Sequence, residues 1–195
     1  MKFRGMIKNK YPALKKDGDL AELIGVILGD GHIRKYPRTE ELSIFSNANN
    51  PGFIKRYSRL IEIVFGKKPK IGFHSNKKSC VRIRIYEKHI ADRLHIPISP
   101  KMRKKIPFHR WISSSRKFMI RYLRGLYEAE GSFCVHRPTS TYKLFFSNIN
   151  TSLLHIVSLS LKRLGFFHNL SGFRVQVSRK KEVYKLKKLL GFREY

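Results

Sequence analysis

The sequence predicts an α+β fold built from two similar halves, because the 195-residue chain repeats its own order of motifs. LIGVILGDG at residues 23–31 aligns with LRGLYEAEG at residues 123–131, and FSNAN at residues 45–49 aligns with FSNIN at residues 146–150. Around these anchors, stretches of helical period are interleaved with stretches in which apolar and polar residues alternate. Each half is therefore predicted to have the order αββαββα, and the two halves to be related by a pseudo-twofold axis.

The first helix is predicted to begin after Asp19 and to end at Asp30, because apolar residues recur between them at helical spacing. Asp19 is a candidate N-cap, and Glu22 three residues later completes a capping-box pattern. Gly31 is the expected left-handed glycine after the last turn.

Both copies of the motif place residues with almost no side chain on one stripe of the helix. These residues are Ala21, Gly25 and Gly29 in the first copy, and Gly125 and Ala129 in the second. We expect the two stripes to pack against each other. Asp30 and Glu130 would then lie close together at two helix C-termini, where the helix dipole disfavours a carboxylate by about 0.3–1 kcal/mol unless a cation offsets it.

The remaining elements follow in the same order in the two halves. The first half is predicted to have strands at 32–37, 41–46, 70–74 and 80–86 and helices at 51–66 and 87–94. The second is predicted to have helices at 115–130, 151–165 and 180–190 and strands at 132–136, 142–147, 166–170 and 173–177. The predicted domains are a basic N-terminal arm at 1–18, a first half at 19–96, a linker at 97–114 and a second half at 115–195.

The charge of the chain indicates a nucleic-acid partner. It has 42 lysines and arginines against 13 acids, a formal net charge of +29, and both halves are basic. Two cysteines supply neither a disulfide framework nor a zinc site. No apolar run approaches the ~20 residues that span a bilayer, and no signal peptide is evident. We therefore expect a soluble cytoplasmic protein without a membrane partner.

A pair of carboxylates beneath a basic surface indicates metal-dependent chemistry on phosphate esters. Oxygen ligands beside phosphate suit Mg²⁺. Bound divalent cations would activate water and stabilise the leaving oxygen of a phosphodiester. Asp30 and Glu130 are therefore the candidate metal ligands and catalytic residues.

The two motifs resemble those of the LAGLIDADG homing endonucleases, in the single-chain, two-motif form encoded in archaeal introns. The resemblance covers residues 19–191 and implies two four-stranded antiparallel sheets that form a saddle over the major groove of double-stranded DNA. It also implies a monomer that cuts both strands of a long target with Mg²⁺ and leaves 3′ overhangs. Two or three divalent ions would be shared between Asp30 and Glu130, with the main-chain carbonyls of Gly29 and Ala129 as further ligands.

Other positions match the family less fully. Asn47, with Asn148 as its repeat mate, stands where family members often have glutamine beside the metal site. Lys104 precedes Lys105 and an Ile-Pro pair, where some members carry a catalytic lysine. We include Asn47, Asn148 and Lys104 among the candidate catalytic residues. Glu128 is expected to have a structural or ion-pairing role.

The predicted saddle also supplies candidate DNA-binding residues, and each of them could contact a base edge or a phosphate. They are Arg34, Arg82, Arg84, His136, Arg174 and Gln176. Arginine pairs naturally with guanine and glutamine with adenine. The leading function is a site-specific DNA endonuclease. The alternatives are a maturase that binds host intron RNA and a non-cleaving DNA-binding protein on the same scaffold.

Overall fold

The computed structural model describes residues 11–74, 77–98 and 104–195, and the side chains of all of these except residues 77 and 78. Most of the predicted N-terminal arm and the middle of the predicted linker lie outside these ranges. The elements of the first half are α1 (Gly18–Asp30), β1 (Gly31–Lys35), β2 (Glu40–Asn47), α2 (Pro51–Phe65), β3 (Lys70–His74), β4 (Lys77–Glu87) and α3 (Ile90–Leu94). Those that follow are α4 (Arg110–Ser113), α5 (Arg116–Glu130), β5 (Gly131–His136), β6 (Thr141–Ser147), α6 (Thr151–Arg163), β7 (Asn169–Ser171), β8 (Arg174–Val177) and α7 (Lys180–Leu190).

Each half contains one four-stranded antiparallel sheet, and the two sheets have the same topology. The strand order is β1-β2-β4-β3 in the first and β5-β6-β8-β7 in the second. In β4, Val81, Ile83 and Ile85 are buried and alternate with Arg82 and Arg84, so that one face of the sheet lies on the core. The predicted α+β class and the αββαββα order are confirmed.

The two halves meet along α1 and α5, at the predicted stripe of small residues. A methyl group on Gly25 would collide with the carbonyl oxygen of Tyr122, and one on Gly125 would collide with the carbonyl oxygen of Glu22. The two collisions are mates under the 100-residue repeat, as a pseudo-twofold axis requires. Backbone therefore touches backbone at the centre of the molecule, and only glycine fits at these two positions.

The start of α1 differs from the prediction. Asp17, and not Asp19, caps the helix by accepting hydrogen bonds from the amides of Asp19 and Leu20, each at 3.0 Å. The prediction of a capping box is also wrong, because the side chain of Glu22 is fully buried and contacts three arginines instead of the helix start.

The buried carboxylate of Glu22 joins the two halves of the molecule. Arg56 of α2 contacts it through Nε at 2.5 Å and Nη2 at 2.8 Å. From α5, Nε of Arg121 lies 2.6 Å from Oε2 and Nε of Arg124 lies 3.6 Å from Oε1. A buried acid is tolerated only when it is paired and hydrogen-bonded, and here the charges come from both halves.

Gly31 follows α1 in an extended conformation, with φ of −89°, so the prediction of a left-handed conformation at this glycine is wrong. The chain passes directly from helix into β1. A side chain on Gly31 would meet the Cα of Ile27 at 2.5 Å, so glycine is needed here for space and not for its dihedral angles.

Two further differences concern the second half. The strand predicted at 166–170 is observed as Asn169–Ser171, because Phe166 instead packs into the core with 5% of its surface exposed. The short helix α4 was not predicted and lies within the predicted linker. None of the described helices is long and apolar enough to span a membrane.

Candidate metal site and nucleic-acid face

Helices α1 and α5 form the seam between the two halves, and they end on the two predicted acids, Asp30 and Glu130. Both are half-buried, and neither helix carries a basic residue in its last turn. Each carboxylate therefore lies at the negative end of a helix dipole that its own helix does not offset.

The two helix ends lie side by side. A side chain on Gly29 would collide with the Cβ of Ala129 and would lie 3.0 Å from the Cγ of Glu130. The small residues that precede the two acids thus let the C-termini of α1 and α5 come into contact. This arrangement brings the metal-ligand candidates of both halves to one place.

The donors gathered at these ends are all oxygen atoms, namely two carboxylates and the main-chain carbonyls of Gly29 and Ala129. Mg²⁺ prefers such ligands and usually keeps several waters while it binds one or two carboxylates and a phosphate. The residue types present therefore fit a divalent cation. In the described residues no group of three or more His, Cys, Asp or Glu side chains forms a metal cluster.

The two candidate asparagines hold equivalent turns. The Oδ1 atom of Asn148 accepts a 2.8 Å hydrogen bond from the amide of Asn150, and Oδ1 of Asn47 accepts one of the same length from the amide of Asn49. The Nδ2 atom of Asn148 also donates to Oε1 of Glu130 at 3.2 Å. The structure therefore brings Asn148 to the second acid, whereas Asn47 lies exposed at the end of β2.

Lys104 lies apart from these contacts. Its ammonium donates to the carbonyl oxygen of Ile98 at 2.7 Å, and its own carbonyl accepts from Nδ2 of Asn150 at 2.9 Å. Since Asn150 caps α6, Lys104 is attached to the start of that helix through its main chain. Its catalytic role stays a prediction.

All six predicted DNA-binding residues lie on the outward faces of the two sheets. The pairing register places Arg34 opposite Glu41, Arg84 opposite Ser43 and Arg82 opposite Phe45 in the first sheet. In the second sheet it places His136 opposite Thr141, Gln176 opposite Phe145 and Arg174 opposite Ser147. The neighbouring strand residues Leu42, Ile44, Leu144 and Phe146 are buried on the inner faces.

Several of these side chains are oriented by their neighbours. The guanidinium of Arg174 lies 4.3 Å from the ring centroid of Phe145, and its Nε donates to Ser147 at 3.3 Å. The guanidinium of Arg34 lies 5.1 Å from the ring centroid of Tyr36. Polar and aromatic support therefore holds cations on the outward faces in both halves.

Sequence reasoning missed Glu41, an acid on the outward face of the first sheet with only 5% of its surface exposed. Its carboxylate accepts from Ser43 at 2.6 Å and from Tyr36 at 3.2 Å, and it lies 3.5 Å from Nη1 of Arg82. Burial alone would raise the pKa of Glu41. The hydrogen bonds from Ser43, Tyr86 and Tyr36 and the charge of Arg82 outweigh burial, so that the pKa is lowered. The signal in the sequence is an acid at an outward strand position facing a row of arginines.

Glu128 has the structural role that the sequence predicted. Its carboxylate, which is 5% exposed, accepts hydrogen bonds from the amide of Arg193 and the hydroxyl of Tyr195. Burial raises the pKa of Glu128 and outweighs these hydrogen bonds and the nearby charge of Arg124. These partners lie 65 and 67 residues away along the chain, and the sequence pattern gives no signal for them.

Comparison with known proteins finds a match to a family model in the second half of the chain. Residues 117–191 match the family model of the LAGLIDADG-like domain. A search of curated proteins by sequence found no match.

Solved structures share the fold of nearly the whole chain. I-DmoI in complex with DNA and Ca is 20% identical, with a TM-score of 0.59 over 89% of this chain and 88% of that one. The meganuclease I-AabMI bound to uncleaved DNA is 14% identical, with a TM-score of 0.56 over 88% of this chain and 83% of that one. The N-terminal LAGLIDADG domain of DUF199/WhiA is 15% identical, with a TM-score of 0.62 over 93% of this chain and 87% of that one. At these identities the likeness establishes the fold.

Proposed function

We propose that this protein is a site-specific endonuclease for double-stranded DNA. Its residues 117–191 match the model of the LAGLIDADG-like domain, and the chain has the fold of the homing endonuclease I-DmoI. The observation that carries the proposal is the close approach of the ends of α1 and α5, the two helices that end on Asp30 and Glu130. Relatives of the same fold have been solved with DNA together with Ca or Mn. A divalent cation and duplex DNA are therefore the ligands that we propose for this chain.

The proposed mechanism divides the work between the sheets and the seam. The outward arginines bind the duplex and set its register, since phosphate contacts position a protein and base contacts specify the sequence. Asp30 and Glu130, with the carbonyls of Gly29 and Ala129, would hold two or three divalent ions. These ions would supply an activated water and stabilise the leaving oxygen. Asn148 orients the carboxylate of Glu130 through its amide.

The products that we propose are two cut strands with short 3′ overhangs. This follows the resemblance, together with one acid from each half at a single site. In this proposal Asn47 orders water beside the first acid, and Lys104 supports the start of α6 beside Asn148. The archaeal intron origin of the chain is a proposal on the same basis.

A non-cleaving DNA-binding protein on the same scaffold is the second candidate, because the outward arginines of the two sheets would bind duplex DNA whether or not the acids hold a metal. The fold alone therefore does not separate cleavage from binding. The presence of an acid at both motif ends favours cleavage, because two carboxylates at adjoining helix ends supply the oxygen ligands that a divalent cation needs.

The test is cleavage of a plasmid library with randomised inserts, incubated with the protein in Mg²⁺, in Ca²⁺ or in a chelator. Sequencing of the cut ends gives both the target and the overhang. We expect linear products in Mg²⁺ alone, and none from the Asp30→Asn/Glu130→Gln double variant. Tight duplex binding without cleavage in any divalent metal would favour the second candidate. Preference for host intron RNA over duplex DNA would favour the maturase.

A further inference from the structure

The five residues that follow α7, Gly191–Tyr195, form a segment that we call the brace. Gly191 and Arg193 both have left-handed backbone conformations, with φ of 56° and 54°, which turn the chain sharply back onto α5. Phe192 anchors the turn in the core with 2% of its surface exposed, and its ring centroid lies 6.5 Å from that of Tyr127. The segment is therefore held in a fixed place by packing.

The brace contacts the chain on both sides of the second acid, in the last turn of α5 and at the start of β5. The amide of Arg193 donates to Oε1 of Glu128 at 2.7 Å, and the hydroxyl of Tyr195 donates to Oε2 of the same carboxylate. Nη2 of Arg193 donates to the carbonyl of Gly131 at 3.3 Å. Glu128 is two residues before Glu130 and Gly131 is one residue after it, so the brace holds the backbone that carries this carboxylate.

The other side of the brace rests on the first half of the molecule. The side chain of Tyr195 covers Gly52 in the first turn of α2, and a methyl group on Gly52 would lie 2.5 Å from its Cβ and Cγ. Its phenol also interacts with the side chain of Asn50, which caps that helix. A single residue thus joins the end of α5 to the turn that begins at Asn47.

The equivalent end of α1 is held differently. The repeat mate of Glu128 is Leu28, an apolar residue that packs into the core with 3% of its surface exposed. The last carbonyls of a helix have no partner within the helix, and its final turn is prone to fray unless something binds it. At the end of α5 the buried carboxylate of Glu128, with its donors Arg193 and Tyr195, takes the place of this apolar packing.

We propose that the brace fixes the position of Glu130 relative to the first half of the site, with Tyr195 and Glu128 as positioning residues. The inference rests on the proposed function, because Glu130 is there a metal ligand. Tyr195 and Glu128 would not themselves touch DNA or metal. They act through the last turn of α5.

Two variants loosen the brace from opposite sides. Tyr195→Phe removes the hydroxyl that donates to Glu128, while the ring over Gly52 stays. Gly52→Ala pushes that ring away from α2 without touching α5. The matched control is Tyr184→Phe, which removes the hydroxyl of a tyrosine that is 45% exposed on α7.

The readouts are strand-resolved single-turnover cleavage, its dependence on Mg²⁺ concentration, target binding in Ca²⁺ and thermal melting. Misplacement of a reacting group by about 1 Å can cost roughly a hundredfold in rate. We expect both variants to cut about ten- to a hundredfold more slowly than wild type and to need more Mg²⁺ for half-maximal rate. Target binding should match that of wild type and of Tyr184→Phe. Loss of a partner of the buried Glu128 lowers the melting temperature, so cleavage is compared at a temperature at which every variant is fully folded.

Wild-type cleavage rates and Mg²⁺ dependence in both variants would contradict the proposed role of the brace. A loss of rate that disappears at temperatures where the variant is fully folded would contradict it as well. If wild-type protein cuts no target, the proposed function fails separately. The affinity of the DNA complex for Mn²⁺, measured by electron paramagnetic resonance, then decides the inference. Equal affinity in wild type and Tyr195→Phe would contradict it, and weaker affinity in the variant would support it.

Discussion

Two carboxylates occupy positions where their own helices disfavour negative charge. Asp30 and Glu130 end α1 and α5, and no basic residue stands in the last turn of either helix. Such a charge is unfavourable by about 0.3–1 kcal/mol at a helix C-terminus. Two acids at equivalent ends of the two motif helices are therefore better explained by chemistry than by helix stability.

Asp30→Asn and Glu130→Gln should therefore abolish cleavage, or slow it by orders of magnitude, while the fold is kept. The melting temperature should hold or rise, because removing the charge relieves a few tenths of a kcal/mol at the helix end. Strand-resolved cleavage of a labelled duplex, a thermal melt and a binding curve in Ca²⁺ check this. Wild-type cleavage by either variant would contradict the catalytic assignment.

Glu41 should make stability depend on pH in the acid range. Its pKa is lowered in the folded state, so its contribution is present above the unfolded pKa, about 4.3, and is lost as pH falls through the folded value. Glu41→Gln should be less stable than wild type at pH 7, and the difference should shrink towards pH 3. Urea unfolding at both pH values measures it. The exposed Glu62→Gln is the control, and a difference that stays constant with pH would contradict the role of Glu41.

At the residue scale the sequence predicts best where the repeat applies. The positions of Asp30 and Glu130 at the ends of α1 and α5 could be predicted because equivalent positions of two motifs both carry an acid. The environment of Glu41 depends on Arg82 of the neighbouring strand as well as on Ser43 two residues along, and the partners of Glu128 come from more than sixty residues away. No local pattern contains such contacts.

The seam between α1 and α5 is the element on which the architecture depends. Gly25→Leu should force the helices apart, because even a methyl group at this position meets the carbonyl of Tyr122. Overpacking typically costs about 1–3 kcal/mol, and the displacement should also separate the two acids. Urea unfolding and cleavage assays together measure both effects.

A matched control for the seam is Gly72→Ala in β3, where an added Cβ meets nothing within 4 Å. Its unfolding free energy should stay close to that of wild type. If Gly25→Leu is as stable and as active as wild type, the seam does not depend on a glycine at this position.

The order of helices and strands was predictable because the apolar residues that recur at helical or strand spacing are the ones that the fold buries. The boundaries were less so. Asp17 and Asp19 are both plausible caps by residue type, and only the path of the chain selects Asp17. The strand predicted at 166–170 instead begins at Asn169, because Phe166 packs into the core. That packing involves residues distant in the sequence, so no local pattern indicates it.

The whole molecule carries +29 formal charges, and its DNA binding should be strongly salt-dependent. The logarithm of the association constant should fall by roughly 0.9 per phosphate contact for each unit of log salt. Titrations of duplex DNA at several salt concentrations measure this slope. A flat response would contradict binding through the basic surface.

Arg82→Ala and Arg84→Ala separate base reading from phosphate binding. Loss of a base contact should reduce discrimination against the wrong base by about 1–3 kcal/mol. Competition between the target and single-base variants measures that loss. An equal loss of affinity across all sequences would instead make the arginine a phosphate contact, with a shallower salt slope.

One chain already contains both halves, so the free protein should sediment as a monomer. The seam surfaces of α1 and α5 cover each other, which leaves no unpaired copy of either stripe. Analytical ultracentrifugation at micromolar concentration tests this. A stable dimer in the absence of DNA would contradict the pseudo-dimer arrangement.

The outward faces of the two sheets share a backbone plan but not their side chains. Arg84 in the first sheet corresponds to Gln176 in the second, and the buried Glu41 beside Arg82 belongs to the first sheet. A homodimer must present identical surfaces and is confined to palindromic sites. Joining two diverged halves in one chain removes that restriction. The proposed target should then consist of two dissimilar half-sites, and a palindrome made from either one should bind less tightly than the natural pair.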